Sequence, residues 1–394
     1  MIAATRPVQR PEDAKIAIVD ERGIVGHWPR RFFLSALRRG DLVVANDAAT
    51  IPASLTGTHD ASGSAIEVRL AARGSLDPRD VKRFTAIVFG AGDYRIRTED
   101  RAPPPPLAPG DRLTLGPLKA TIEALAGHPR LVALRFDSAP DEIWAGIARH
   151  GTPVQYAHMK TPLRLWDIWT PIAGAPVAFE APSAGFVLDW RTLAAMRGAG
   201  VSFATLTHAA GLSSTGDATL DQRLPLDEPY RIPQATAEAI ARTRESGGRI
   251  VAIGTTVVRA LEHAASRYGR VHAGEGIANQ RLGPGATLRV VDAIFSGTHE
   301  PGTSHYELLR AFADAGTLLR LDEALDERGY RTHEFGDSIF LPRLTRTGPL
   351  EAYGQCDKNG HPDCLEITRA PGSLHTHRHS CGRNHIGDKR LLPG

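Results

Sequence analysis

At 394 residues, 42% of them hydrophobic and 23% charged, the chain is long enough for two domains with real cores and has the balance of an ordinary globular protein. A formal net charge of +3 does not single out a nucleic-acid binder, and no run of about 18 apolar residues marks a membrane span. The first twenty residues hold no signal-peptide core, and the three cysteines, all after residue 355, argue against a disulfide scaffold, so a cytoplasmic protein is expected.

Residues 14–20, "AKIAIVD", read as a strand, and "GDLVVANDAATIPASL" at 40–55 holds a second one that ends in a polar turn at Asn46 and Asp47. After residue 57 the character changes. "AIEVRLAAR", "FTAIVFGAG", "GDRLTLGPLKATIEAL" and "LVALRFD" are short strands separated by Gly, Pro and Asp, the spacing of a small all-β module or barrel. The proline run Pro103–Pro106 breaks regular structure and reads as a loop of that module.

Helices return near residue 141, where "APDEIWAGIARHG" has a helix start and a glycine stop. From there to about residue 316 helices alternate with strands, the last two strands lying in "RIVAIG" and "LRVVDAIFSG". Such alternation predicts a mainly parallel α/β domain, built from 1–56 and 151–345, with a barrel-like all-β domain inserted at 57–150. The tail, 346–394, lacks helix or strand periodicity. Its "CDKNGHPDC" and "HTHRHSC" offer zinc ligands at irregular spacing, so metal binding and an irregular tail both remain open.

In such α/β layers ligands collect where strands end and helices begin. The stretch "IVAIGTTVVRALE" at 250–262 has that form: a buried strand, a glycine that lets the chain turn closely, then two hydroxyls at a helix start. Thr255 and Thr256 either cap the helix or face a ligand. Arg259, one turn further on, either grips a carboxylate or pairs with Glu262. Tyr156, Trp166 and Trp169 are either core or a stacking surface for a purine.

Taken in order, "GDLVVANDAATIPASLTG", "EAPSAGFVL", "VSFATLTHAAGL", "DEPYRIP", "RIVAIGTTVVRALE", "VVDAIFSGTHEPGTSHYELLRAFA" and "HEFGDSIFL" resemble the S-adenosylmethionine:tRNA ribosyltransferase-isomerase family of queuosine biosynthesis, over roughly residues 14–341. The resemblance implies an α/β domain with an inserted β-barrel. It also implies transfer and isomerisation of the ribosyl part of S-adenosylmethionine onto a 7-aminomethyl-7-deazaguanine base in tRNA, with adenine and methionine leaving and epoxyqueuosine remaining. S-adenosylmethionine is then a substrate, and no metal or other cofactor is expected. The resemblance leaves oligomeric state open.

Residues that match the family pattern are Asn46, Pro182, Ala184, Gly185, Gly211, Glu228, Tyr230, Gly254, Thr255, Thr256, Arg259, His299, Pro301 and Asp337, with Ser183 where the family carries threonine. The departures fall in the same loops. Asp47-Ala48-Ala49 replaces an asparagine-threonine-arginine turn, "THAAGLSSTGD" lacks a threonine-phenylalanine pair, and "LPLDEPYRIP" lacks histidines and splits Glu228 from Tyr230. A basic segment of the β module is replaced by "RAPPPPLAPG". These changes keep the scaffold and alter ligand-facing chemistry. Besides the family reaction, the same chemistry on a small-molecule acceptor and a non-catalytic nucleoside binder therefore stay in play. Arg69, Arg73, Arg79, Lys82 and Arg83 would supply phosphate contacts for tRNA, or form an ordinary solvated basic face.

The chemistry needs a base for the acidified ribose C5′ proton, an anchor for the methionine carboxylate and a proton for departing adenine. Candidates for the base are His299, His208, Asp47 and Glu180. His299 has the position and intrinsic basicity for proton transfer or simply holds its loop, and Asp47 and Glu180 read equally as turn caps. Three loops, Pro182–Gly185, His208–Gly211 and Gly254–Thr256, are expected to meet at one sheet edge and hold S-adenosylmethionine.

Overall fold

Leu42–Asn46 and Ile250–Ile253 are buried along their whole length, as strands covered on both faces must be. A computed structural model describes residues 1–5 and 14–344 of the protein. Leu42, Val44, Ile250 and Ala252 pack into one core with Val257, Leu261 and Ile240 from two helices, Gln234–Glu245 and Thr255–Ser266. Val43, Ala45, Val251 and Ile253 point the other way, into a second core with Phe33, Leu188, Met196 and Phe295. The two-residue period of the strands thus divides one apolar run between two helical layers.

The sheet has nine strands in the order Gly274–Ala278, Glu228–Ile232, Ser202–His208, Leu42–Asn46, Ile250–Ile253, Ala293–Gly297, Ser338–Pro342, Lys15–Val19, Val25–Pro29. The four strands from Ser202–His208 to Ala293–Gly297 are parallel, and pairing turns antiparallel on both flanks. Because these four strands run parallel, their carboxyl ends lie along one edge, which is where the cleft forms.

Between the strands at 42–46 and 202–208 the chain builds a closed barrel in the order Leu118–His128, Leu131–Phe136, Arg83–Phe89, Ser64–Ala72, Ser54–His59, Arg112–Leu115, with every pairing antiparallel. Its interior is filled by Val68, Leu70, Val88, Leu113, Leu134 and their neighbours. The helix Pro140–His150 adds Ile143 and Ile147 to that core, and it approaches so closely that a Cβ at Gly146 would meet the Leu118 side chain at 2.5 Å. The proline run lies in the stretch after Arg101, where Gly90 N–H bonds the Ala102 carbonyl at 2.9 Å.

Arg69 and Arg73 are buried, so they supply no basic face, while Arg79 pairs with Asp77 and Arg83 with Glu123. No helix among the described residues is long and apolar enough to cross a membrane. The cysteine- and histidine-bearing tail lies outside the described residues.

Candidate active site

The parallel strands end at Asn46, His208, Ile253 and Gly297. The loops beyond three of them, together with residues 180–184, line a cleft whose walls include Glu180, Ser183, Gly211, Thr256, Arg259 and His299. Pro182, Ala184, Glu228, Gly254 and Thr255 also line it, so the three loops expected to share an edge do converge, though Gly185 and His208 are not in its wall.

Gly254 makes the turn from strand to helix at φ 90° and ψ 160°, a conformation in which glycine alone is free of strain. The backbone also passes close to the 182–185 segment: a Cβ there would touch the Ala184 methyl at 3.4 Å. Gly254 is itself the cap residue of the following helix, and no side chain closes that end. Thr255 and Thr256 are therefore the first two helical residues rather than its cap. The helix turns an uncapped N-terminus, with its partial positive charge, toward the cleft. The Thr256 hydroxyl receives only a long bond, 3.4 Å, from the Asn46 amide.

Arg259 does not pair with Glu262. Its guanidinium pairs with Glu228 and donates to the Ala278 carbonyl at 2.7 Å. Glu262 instead accepts the backbone N–H groups of Arg289, Val290 and Val291 at 2.6–2.9 Å and pins that loop. The other Glu228 oxygen accepts the Gly211 N–H at 2.6 Å. Burial raises the Glu228 pKa, with Arg259 acting against that rise.

Glu180 is almost wholly buried, and its carboxylate accepts the Ser213 N–H at 3.0 Å. Burial first, and the nearby Glu334 second, push its pKa up to about 8. His299 moves the other way, held well below the usual histidine value by burial and by His305 and His333. Its Nε2 shares a 2.9 Å hydrogen bond with the Ser296 hydroxyl, and its ring meets His305 edge-on at 4.8 Å between centroids. The cleft therefore presents a carboxyl whose pKa is pushed up and an imidazole whose pKa is pushed down, the separation that acid–base chemistry uses.

Six expected site residues do not line the cleft. Asn46 is a clip: its side chain bonds the backbone N–H and carbonyl of His208, each at 2.9 Å, and ties two neighbouring strand ends together. Asp47 accepts the hydroxyls of Thr205 and Thr207 at 2.9 and 2.7 Å, which uses its carboxylate structurally. His208 is fully buried and neutral, its pKa brought down to about 3 by burial and Arg259. Its Nε2 lies 3.5 Å from Glu228 without a hydrogen bond. Gly185 packs against Thr170, Tyr230 bonds the His263 ring at 2.9 Å, and Asp337 accepts the N–H groups of Lys15 and Arg331. Tyr156 packs between the barrel core and a small cluster around Met159 and Phe335, in keeping with its core reading.

Ser213, Ser296, Ser304 and His305 also line the cleft, and sequence reasoning passed them over. His305 was the most legible of these: it follows His299 by six residues in "THEPGTSH", at the start of the Ser304–Leu309 helix. The serines carried no signal of their own.

A family model described as "Queuosine biosynthesis protein" matches residues 1–341. The S-adenosylmethionine:tRNA ribosyltransferase-isomerase of Gloeobacter violaceus is 32% identical over 348 residues, 86% of this chain and 92% of that protein. The protein of the same name from Sorangium cellulosum is 31% identical over 372 residues, 86% of this chain and 95% of that one. A solved structure titled S-adenosylmethionine tRNA ribosyltransferase, from Thermotoga maritima, aligns at 22% identity and a TM-score of 0.46 over 86% of this chain and 96% of its own. On a family match that runs from the first strand to the last, through every loop of the cleft, the chain belongs to the queuosine biosynthesis protein family.

Proposed function

We propose that this chain is an S-adenosylmethionine-dependent transferase-isomerase that moves the ribosyl moiety onto a 7-aminomethyl-7-deazaguanine base in tRNA, with adenine and methionine released. A tRNA acceptor implies the cytoplasm. S-adenosylmethionine is consumed as substrate.

The observation that carries the reading is the opposed pair Glu180 and His299 on one cleft. The sulfonium of S-adenosylmethionine acidifies the neighbouring ribose C5′ protons, and neutral His299 takes one of them, its ring fixed by Ser296. The protonated Glu180 carboxyl supplies the proton that departing adenine needs. The uncapped N-terminus of the Thr255–Ser266 helix binds the methionine carboxylate. Arg259 is engaged by Glu228, so it shapes the cleft floor rather than gripping that carboxylate itself. A binder without activity would have no use for two proton-transfer groups poised on opposite sides of neutrality.

The test is to incubate the purified protein with S-adenosylmethionine, with and without tRNA that carries the deazaguanine precursor. Adenine and methionine should appear together, and only with the modified tRNA. Release that is indifferent to tRNA, and that follows addition of a small amine instead, would reassign the acceptor.

A further inference from the structure

Beside the cleft, and outside its wall, two segments distant in sequence bring His158, His333 and Glu334 together. One potential ligand atom from each lies within 4.8 Å of the others. The two imidazole rings stack at 4.6 Å with 21° between their planes, and Tyr156 stacks on the far side of His158 at 5.5 Å. His158 Nε2 and Glu334 Oε2 are both buried and have no hydrogen-bond partner. Orphaned buried acceptors of this kind are uncommon and call for an occupant. His333 adds a second oddity: at φ 68° it is the single non-glycine residue with positive φ among the described residues. Strained backbone of this sort persists where the surrounding structure holds a side chain to a task, ligand clamps among them.

We propose that His158, His333 and Glu334 form a binding site for a divalent transition-metal ion, zinc in the first place. Two imidazoles and one carboxylate are the ligand set of borderline cations, not of calcium or magnesium. Around a tetrahedral zinc, ligand atoms stand roughly 3.4 Å apart, so the cluster needs only a small contraction. His333 is exposed, which leaves the fourth position to solvent. The family resemblance carries no expectation of a metal, so the site belongs to this chain's own residues.

Occupancy would staple the 155–159 segment to the 331–337 segment. The latter already braces the stretch before His299: Thr298 N–H donates to the Asp337 carbonyl at 3.2 Å, and the Thr298 hydroxyl to the Arg331 carbonyl at 2.7 Å. The ion would act as a positioning element for the cleft.

The tail cysteines compete for metal, so the test uses the full chain with Cys356, Cys364 and Cys381 changed to Ser, and reads differences from that parent. Zinc binding is measured by titration and by metal content after dialysis, with cobalt(II) absorption as a second probe. His158→Ala, His333→Asn and Glu334→Gln should each bind one equivalent fewer, or bind it at least about tenfold more weakly, as loss of even an outer contact does. Zinc should raise the melting temperature of the parent and of none of the three. His333→Asn tolerates the left-handed backbone, and Glu334→Gln keeps the side-chain shape, so loss of binding in variants that melt like the metal-free parent is not a folding defect. Equal zinc content and equal affinity in parent and variants would overturn the proposal.

Discussion

Glu67 in the barrel and Glu180 in the cleft are both buried glutamates, 5% and 7% exposed, yet their pKa values move in opposite directions. Burial works against the Glu67 anion, but Arg69 and Arg101 outweigh it and hold its pKa below the ordinary value. Arg69 donates to one carboxylate oxygen at 2.6 Å and Arg101 to the other at 2.5 Å, while the Ser54 hydroxyl adds a bond at 2.8 Å. Around Glu180 the Ser213 N–H is set against burial and the neighbouring carboxylates of Glu334 and Glu228, and its pKa climbs to about 8. The barrel buries charge in matched sets, with Arg73, stacked near Trp144, as its one orphan guanidinium. The sheet edge pairs Arg259 with Glu228 but gives Glu180 no such partner. Matched burial serves structure; unmatched burial costs stability and persists where chemistry uses it.

Glu67→Ala is the strongest way to break this contrast. It strands Arg69 and Arg101 in the barrel, and unfolding in denaturant should show a loss of about 3–5 kcal/mol, the cost of orphaning a buried charge. A loss below about 1 kcal/mol would mean that the barrel's matched set is no more structural than the cleft's groups.

His299→Ala should do the opposite. Turnover should fall by about 10²-fold or more, equivalent to about 2.7 kcal/mol of barrier, with a melting temperature near that of the parent. Turnover within a few-fold of normal would move proton transfer to another group of the cleft.

Thr256→Val sharpens the role of the helix end. Because Gly254 is the cap and Thr256 has only a long bond from Asn46, stability should change by less than about 1 kcal/mol. Affinity for S-adenosylmethionine should fall by about 1–3 kcal/mol, as for an unpaired polar group in a site. Calorimetric titration beside a thermal melt separates the two, and unchanged affinity would remove Thr256 from the ligand contacts.

The unmatched groups also have a pH signature. His208 is fully buried with its pKa brought down to about 3 by burial and Arg259, and His305 lies near 4 for the same two reasons. The unfolded chain takes up these protons below the ordinary histidine value of about 6.5, and the folded chain does not. Stability should therefore decline as pH falls from about 6.5 toward 4, by up to about 1.4 kcal/mol per pH unit for His208. Denaturant midpoints at pH 7 and pH 5 test this, and His208→Gln should flatten the slope. An unchanged slope in that variant would mean that His208 is protonated in the folded protein.

The strands and their faces were legible in the sequence. An apolar run such as "LVVAN" or "IVAI" can only be a strand shielded on both sides, and the alternation of Leu42 and Val44 with Val43 and Ala45 assigns each to a core. The short Gly- and Pro-punctuated strands gave the inserted barrel, because closing a small sheet needs many tight turns. Gly254 was legible as well, since a strand that restarts at once as a helix needs a residue free to take φ 90°.

Partners were not legible, because pairing is set by three-dimensional distance. Arg259 and Glu262 share a helix face, yet Arg259 meets Glu228 from a neighbouring strand and Glu262 holds a loop. Asp47 had the residue type of a base and became a hydroxyl acceptor once Thr205 and Thr207 arrived on the adjacent strand. Glu180 shows the division most plainly. Its presence beside "APSAG" was written in the chain, but its proton is retained because folding removes water from it and places Glu334, 154 positions further on, against it. Burial and long-range charge set that property, and neither has a local signature in the sequence.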